Sequence, residues 1–338
     1  MRRTLAGVST SDNAATLGMA ARSRYEDAVR VLVHLGDSFA EQIAAACPGV
    51  ETVVVPTADP VDPDLRADAL LTLPWGTPNL ADLLASTGVR WVHTVGTGVD
   101  RFPLAVVGDR LLTCSRGASA IPIAEWVLAQ MLAFEKQLPD AWLRERPTSW
   151  NFHPTMGGLH GRTLALVGIG GIGRAIAERA LPFGMRVRAL RRSAAPSPLA
   201  GVELSPSLED LVASADHLVL VAPATADTRG MIGDAALRAV KPGMHLVNVA
   251  RGSLVDEAAL RRALDDERVA LASLDAVEPE PLPEGHWMFA HPRVHVSAHV
   301  SWNGPGGEDV LVGKFVANLH RWLAGEPLEG VVDVAAGY

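Results

Sequence analysis

The chain has 338 residues, 48% of them hydrophobic and 20% charged, with a formal net charge of −8. That is length enough for two domains with buried cores, and the acidic balance argues against nucleic acid or an anionic membrane as the main partner. Two cysteines, Cys47 and Cys114, make neither a disulfide framework nor a zinc spacing, and no apolar stretch is long enough to span a bilayer or to follow Arg2 and Arg3 as a signal core, so a soluble cytoplasmic protein is expected.

Residues 1–27 are rich in Ala, Ser and Thr without a clear period and read as an N-terminal extension. Val29 to Leu35 alternates like a strand, a helix follows from about Phe39 to Cys47, and "VETVVVP" reads as the next strand. Short α/β units continue to "VRWVHTVGTGVD". From 119 to 145, apolar residues recur at helical spacing, which predicts one long helix. Beyond it, strands fit at 163–168, 185–190, 217–222, 244–249, 269–274 and 294–297, with helices between the first five. One of these helices starts at Asp256, a natural N-cap before "EAALRRAL". A last helix fits about 306–324. Alternating strands and helices imply right-handed crossovers and a parallel, doubly wound sheet.

Gly168, Gly170 and Gly173 form G-x-G-x-x-G between a strand and a helix. In that context the first glycine permits the tight turn, the second lets a pyrophosphate approach the backbone, and the third lets helix and strand pack closely. The amides of Gly171 and Ile172, at the helix N-terminus, would receive the phosphates. A carboxylate at the end of the second strand would bind the ribose 2′-hydroxyl of NAD and repel a 2′-phosphate. Here Arg191 and Arg192 stand there, followed by Ser193. A guanidinium holds a phosphate through paired hydrogen bonds, so NADP(H) is expected in preference to NAD(H).

Three later strands each lead to polar or charged residues at their carboxyl ends, where ligands of open α/β sheets bind. Arg251 follows the first, Asp275, Glu278 and Glu280 the second, and His299 the third. Glu278 rivals Glu280, and His295 rivals His299 but lies inside its strand pattern. His291, His295 and His299 recur every four residues, but Pro292 and the alternating valines argue for a strand, so no metal site is expected.

The stretches "LALVGIGGIGRAIAERALPFGM", "ATADTRGMIG", "KPGMHLVNVARGSLVDEAAL", "LDAVEPEPLP", "VHVSAHVS" and "TVGTGVD" resemble those of the D-isomer-specific 2-hydroxyacid dehydrogenase family, nearest its glyoxylate/hydroxypyruvate reductase branch. The resemblance covers most of residues 90–320. It implies two Rossmann-like doubly wound α/β domains, with a cofactor domain, 118–302, inserted into a smaller substrate domain, 28–117 plus 303–338. It also implies a catalytic set. Arg251 would clamp the carboxylate and carbonyl oxygen of a 2-oxo acid, His299 would be the acid/base, and Glu280, 29 residues beyond Arg251, would be its carboxylate partner. The roles are chemically coherent. Histidine suits proton transfer near neutral pH, a carboxylate beside it orients the ring, and arginine stabilises charge developing on oxygen.

By the same resemblance the amides of Gly96, Thr97, Gly98 and Val99 would hold the substrate carboxylate, and Trp75 and Trp302 would close a small pocket. Pro223, Thr225, Val249 and Ala250 would line the cofactor groove, and Asp275 would face the nicotinamide amide. Where the family often has proline before the histidine, this chain has Ala298. A homodimer is implied, with the helix near 120–145 as its contact. The expected reaction is reduction of a small 2-oxo acid such as glyoxylate or hydroxypyruvate to the D-2-hydroxy acid. Alternatives are a cofactor-sensing binding protein with the same fold, or a dehydrogenase for 3-phosphoglycerate or phosphite. A phosphorylated substrate would want extra cations, and "VGTGVDRF" offers Arg101.

Overall fold

The computed structural model describes residues 28–153, 155–192 and 195–338. The extension read over residues 1–27 lies outside them, as does Ser193. The chain divides into two compact units. One comprises the described part of Met1–Ala118 with Gly306–Tyr338, and the other comprises Ser119–Pro305.

The first unit is built on a parallel sheet of five strands: β1 (Arg30–Val33), β2 (Glu51–Val54), β3 (Ala69–Thr72), β4 (Trp91–Thr94) and β5 (Leu111–Cys114), in the order β2-β1-β3-β4-β5. These are short runs rich in Val, Leu and Thr, buried on both faces in the central strands β1, β3 and β4 and in β5, while edge strand β2 is partly exposed. Helices α1 (Asp37–Ala46) and α2 (Leu80–Ser86) connect them. On one face Leu32, Leu70, Val92 and Leu112 pack with α2. On the other, Val31, Leu71 and Trp91 pack with Phe39 and Ile43 of α1 and with Phe315 and Leu319 of α9 (Gly307–Ala324). Trp91 is fully buried and stacks on Phe315 at 4.9 Å and Trp322 at 5.6 Å. Burial of side chains this large stabilises by about 1.5–3 kcal/mol each, which fastens the C-terminal helix to its sheet.

The second unit carries seven parallel strands: β6 (Thr163–Val167), β7 (Arg186–Leu190), β8 (Val202–Leu204), β9 (His217–Leu220), β10 (Met244–Asn248), β11 (Val269–Leu274) and β12 (Val294–Val296). Their order is β12-β11-β10-β9-β6-β7-β8, which reverses direction between β6 and β9. Helices α3 (Ala120–Glu135) and α4 (Gly171–Ala180) cover one face. Helices α5 (Leu208–Ser214), α6 (Asp234–Ala239), α7 (Glu257–Asp265) and the short α8 (Trp287–Ala290) cover the other. Asp256 caps α7, its side chain accepting from the amide of Ala259. The sheet is therefore doubly wound, as the alternating pattern predicts.

Two local features differ from the sequence pattern. The long helix read over 119–145 stops at Glu135. Gln137 takes a left-handed φ of 53°, and Pro139 has no N–H to extend the ladder, so the apolar spacing beyond Glu135 does not carry a helix. Strand β8 has only three residues, too few to show a period.

Candidate active site

In the second unit the glycine turn joins β6 to α4. Gly168 has φ +106°, and a Cβ there would lie 3.1 Å from the backbone of Val221 and Ala222. A Cβ on Gly173 would meet the carbonyl oxygen of Gly168 at 2.6 Å. Around Gly170, by contrast, a Cβ would meet nothing within 4 Å. The tight glycines thus close helix onto strand, and the exposed one leaves open space before the first amides of α4. That is a cradle fitted to a dinucleotide pyrophosphate.

Arg191 lies just past β7, where its Nη1 donates to the carbonyls of Ala195 and Pro196 at 3.2 and 2.6 Å. Arg192 is exposed. Past β9, Pro223 and Thr225 belong to a turn closed by Thr228, whose hydroxyl accepts from the Thr225 amide at 2.8 Å and donates to the Pro223 carbonyl at 2.8 Å. Val249 and Ala250 are buried at the end of β10.

The sheet order sets β10, β11 and β12 side by side, so the segments after them share one edge. Asn248, at the end of β10, organises that edge. Its Nδ2 donates to the carbonyls of Arg251 and Ala276, and its Oδ1 accepts from the amide of Ala250. Arg251 follows in extended conformation, its Nη1 donating to the Ala250 carbonyl at 2.7 Å. Gly252 then approaches the chain after β11 so closely that a Cβ would lie 2.1 Å from the carbonyl carbon of Val277 and 2.3 Å from the nitrogen of Glu278. No other residue type fits that approach without displacing one of the two loops.

Glu280 and His299 meet. The imidazole Nδ1 lies 3.1 Å from Oε1 and 3.2 Å from Oε2 of the carboxylate, and Oε1 also accepts from the Val277 amide at 3.2 Å. The glutamate side chain is 16% exposed and the histidine 37%, so the pair is set into the surface with the ring accessible. Because Nδ1 faces the carboxylate, Nε2 is the nitrogen left to exchange a proton with a bound molecule. The rival Glu278 is turned elsewhere, its two oxygens each 3.0 Å from the guanidinium of Arg229. His295 lies within β12 opposite Ser273.

Asp275, expected to face a nicotinamide, is 1% exposed, and its carboxylate accepts from Ser297, Val300 and Ser301. Burial pushes this carboxyl up and the hydrogen bonds pull it down, leaving it below the usual carboxylate range. Trp302 is exposed. Asn248, Gly252 and Arg229 escape sequence reasoning, since each acts by holding backbone or a side chain brought near only by the fold. The available signal for the first two was their place beside Arg251 in "NVARG".

In the first unit, the loop after β4 holds Gly96, Thr97, Gly98 and Val99. A Cβ on Gly96 would lie 2.4 Å from Cβ of Pro74, so this loop packs directly on the segment that presents the exposed Trp75. The Gly96 carbonyl accepts from the Ser115 amide at 3.1 Å.

A glycine turn on a doubly wound sheet is the arrangement of dinucleotide-binding folds, and here a paired histidine and glutamate and an arginine stand at the same sheet edge. Residues 128–301 match the family described as D-isomer specific 2-hydroxyacid dehydrogenase, NAD binding domain. The chain belongs to that family. It is 35% identical over 279 residues to D-3-phosphoglycerate dehydrogenase of Mycobacterium tuberculosis, covering 80% of this chain and 52% of the relative. It is 29% identical over 288 residues to glyoxylate/hydroxypyruvate reductase A of Serratia proteamaculans, covering 81% and 89%. The chain thus spans about half the length of the phosphoglycerate dehydrogenases it matches. Among solved structures, a D-isomer specific 2-hydroxyacid dehydrogenase from Xanthobacter autotrophicus Py2, in complex with NADPH and MES, has a TM-score of 0.79 at 27% identity and covers 92% of this chain and 100% of its own. Among the described residues, no helix is long and apolar enough to cross a membrane.

Proposed function

We propose that the protein reduces a small 2-oxo acid, of the glyoxylate or hydroxypyruvate kind, to the D-2-hydroxy acid with NADPH. The observation that carries this reading is the His299–Glu280 pair standing on the sheet edge that also bears Arg251. A bound nicotinamide would supply the hydride. The glycine turn and the amides of Gly171 and Ile172 would hold its pyrophosphate, with Pro223, Thr225, Val249 and Ala250 along the groove. The preference for NADPH rests on Arg191 and Arg192, and the NADPH complex of the Xanthobacter relative agrees with it.

Arg251 would take the substrate carboxylate and carbonyl oxygen. As the carbonyl oxygen gains charge, Arg251 stabilises it and His299 delivers a proton from Nε2, while Glu280 at Nδ1 keeps the ring oriented and balances the imidazolium. The reverse sequence oxidises the hydroxy acid.

A homodimer belongs to the same proposal. Trp142, Leu143, Trp150, Phe152 and Met156, all in the segment that follows α3, are exposed large apolar side chains, and a second copy of the chain would cover them. Cytoplasmic location is proposed from the two unbridged, buried cysteines.

The test is loss of NADPH absorbance with glyoxylate, hydroxypyruvate, pyruvate and phenylpyruvate, each repeated with NADH. Oxidation of NADPH well above NADH supports the proposal, and no oxidation with any acid refutes it. The 35% identity to phosphoglycerate dehydrogenases favours 3-phosphoglycerate as a second reading, and assay in the oxidative direction with that acid decides between them.

A further inference from the structure

His299 has a left-handed backbone, φ +54°. A residue with a Cβ resists that conformation, so it persists only where neighbouring structure holds it. Here the hold is on both sides of the histidine and comes from one group. Oδ1 of Asp275 accepts from the hydroxyl of Ser297 at 2.6 Å and from the amide of Val300 at 2.9 Å. Oδ2 accepts from the amide of Ser301 at 2.9 Å. The residue two before His299, the one after it and the one after that all hang on a single carboxylate. Bonds to an ionised acceptor are stronger than neutral ones, and this acceptor residue is buried.

The anchor is itself fixed. Asp275 follows β11 directly, its amide donates to the Asn248 carbonyl at 2.9 Å, and it is buried. Asn248 also binds the carbonyl of Arg251. One connected set of hydrogen bonds therefore runs from the arginine segment through Asn248 and Asp275 to the loop of the histidine. Ala298, beside His299, adds no ring to stiffen the chain.

We propose that Asp275 is a positioning residue, whose carboxylate holds the loop 297–301 in the shape that sets the His299 imidazole against Glu280 with Nε2 outward. This rests on the assignment of His299 as the acid/base. It differs from a role in gripping the cofactor, for which a side chain in this place would point at the nicotinamide amide. The two roles separate in kinetics: a cofactor grip governs NADPH affinity, and a loop hold governs the rate once everything is bound.

Asp275→Asn keeps the shape but sets an amide N–H against donors. Ser297→Ala removes one of the three bonds and nothing else. For Asp275→Asn we expect kcat to fall about 10- to 100-fold, the scale on which misplacement of an acid/base of the order of 1 Å acts. The NADPH Kd from fluorescence titration should stay within about twofold, because the cradle residues are untouched. Ser297→Ala should lower kcat in the same direction, by less. A rise of about tenfold or more in NADPH Kd with kcat intact at saturating cofactor overturns the proposal, as does an unchanged kcat in both variants. If Asp275→Asn does not fold, Ser297→Ala decides alone by the same criteria.

A readout independent of turnover is the Cε1–H resonance of His299 in protein labelled with 13C-histidine, identified by its loss in His299→Gln. A shift and broadening in Asp275→Asn supports the hold, and an unchanged resonance overturns it. Should the wild-type protein reduce no 2-oxo acid, the reaction assignment fails while this resonance still reads the loop.

Discussion

Gly252→Ala is the sharpest mechanical perturbation of the site. The added methyl would lie 2.1 Å from the Val277 carbonyl carbon and 2.3 Å from the Glu278 nitrogen, where ordinary contact begins at 3.4 Å. The shortfall is about 1.3 Å against backbone on the other side, so neither partner can swing away as a flexible side chain would. The two loops must part by roughly that distance. One carries Arg251 and the other leads into Glu280, so the separation falls on the residues assigned to the substrate oxygen and to His299. A displacement of the order of 1 Å at reacting groups costs about 10²-fold in rate, which sets the expected loss in kcat. Steady-state kinetics with NADPH and the best 2-oxo acid measures it, alongside a thermal melt and NADPH titration to show that the unit is folded and still binds cofactor. A variant with kcat within threefold of wild type would refute the view that this contact sets the geometry of the site.

His299→Ala should lower turnover by about 10²–10⁴-fold, the usual contribution of a general acid, while NADPH affinity is nearly preserved; turnover like wild type removes His299 from the mechanism. Arg191→Asp should weaken NADPH more than NADH in parallel titrations, and equal ratios before and after would show that the arginine makes no phosphate contact. Acid should destabilise the fold through buried neutral histidines. Burial lowers His93 from 6.5 to about 3, so below pH 6.5 the unfolded chain binds a proton that the native state does not. Stability falls as pH falls across that interval, by about 2 kcal/mol between pH 7 and pH 5 from this residue. His34, lowered to about 4, and His245, held well below its ordinary value by burial and by His217 and His295, act in the same direction. Urea midpoints at the two pH values check this, and stability that stays flat down to pH 5 contradicts it.

What the sequence made legible was periodic or bore chemistry. The strands of the second unit run as buried apolar segments, Asp256 caps its helix as its type predicts, and Arg251, Glu280 and His299 each follow a strand. What it hid was made by approach in space. Glu280 and Glu278 are two residues apart in one Pro-rich loop, and only Arg229, 49 positions away, shows that Glu278 is engaged elsewhere. The sequence offers Asp275 as one acidic residue among several, and the three donors that converge on it lie 22–26 positions on. The buried chain from Glu135 through His217 and His245 to Ser273 joins a helix to three strands, and no local pattern marks it. The helix predicted to 145 failed for the opposite reason: its apolar side chains kept helical spacing in a segment where Pro139 ends the ladder.

The central claim is that a bound NADPH would supply a hydride to one face of C2 of a 2-oxo acid while His299, on the edge that also carries Arg251 and Glu280, gives a proton to its carbonyl oxygen. The most direct measurement is product analysis. The protein is incubated with NADPH and hydroxypyruvate, and glycerate is resolved by chiral chromatography beside the absorbance trace. The account predicts D-glycerate, one equivalent for each NADPH oxidised, formed about 10²–10⁴-fold more slowly by His299→Ala under the same conditions. L-glycerate, or bound NADPH with no hydroxy acid formed from hydroxypyruvate or from any of the other 2-oxo acids, would contradict it.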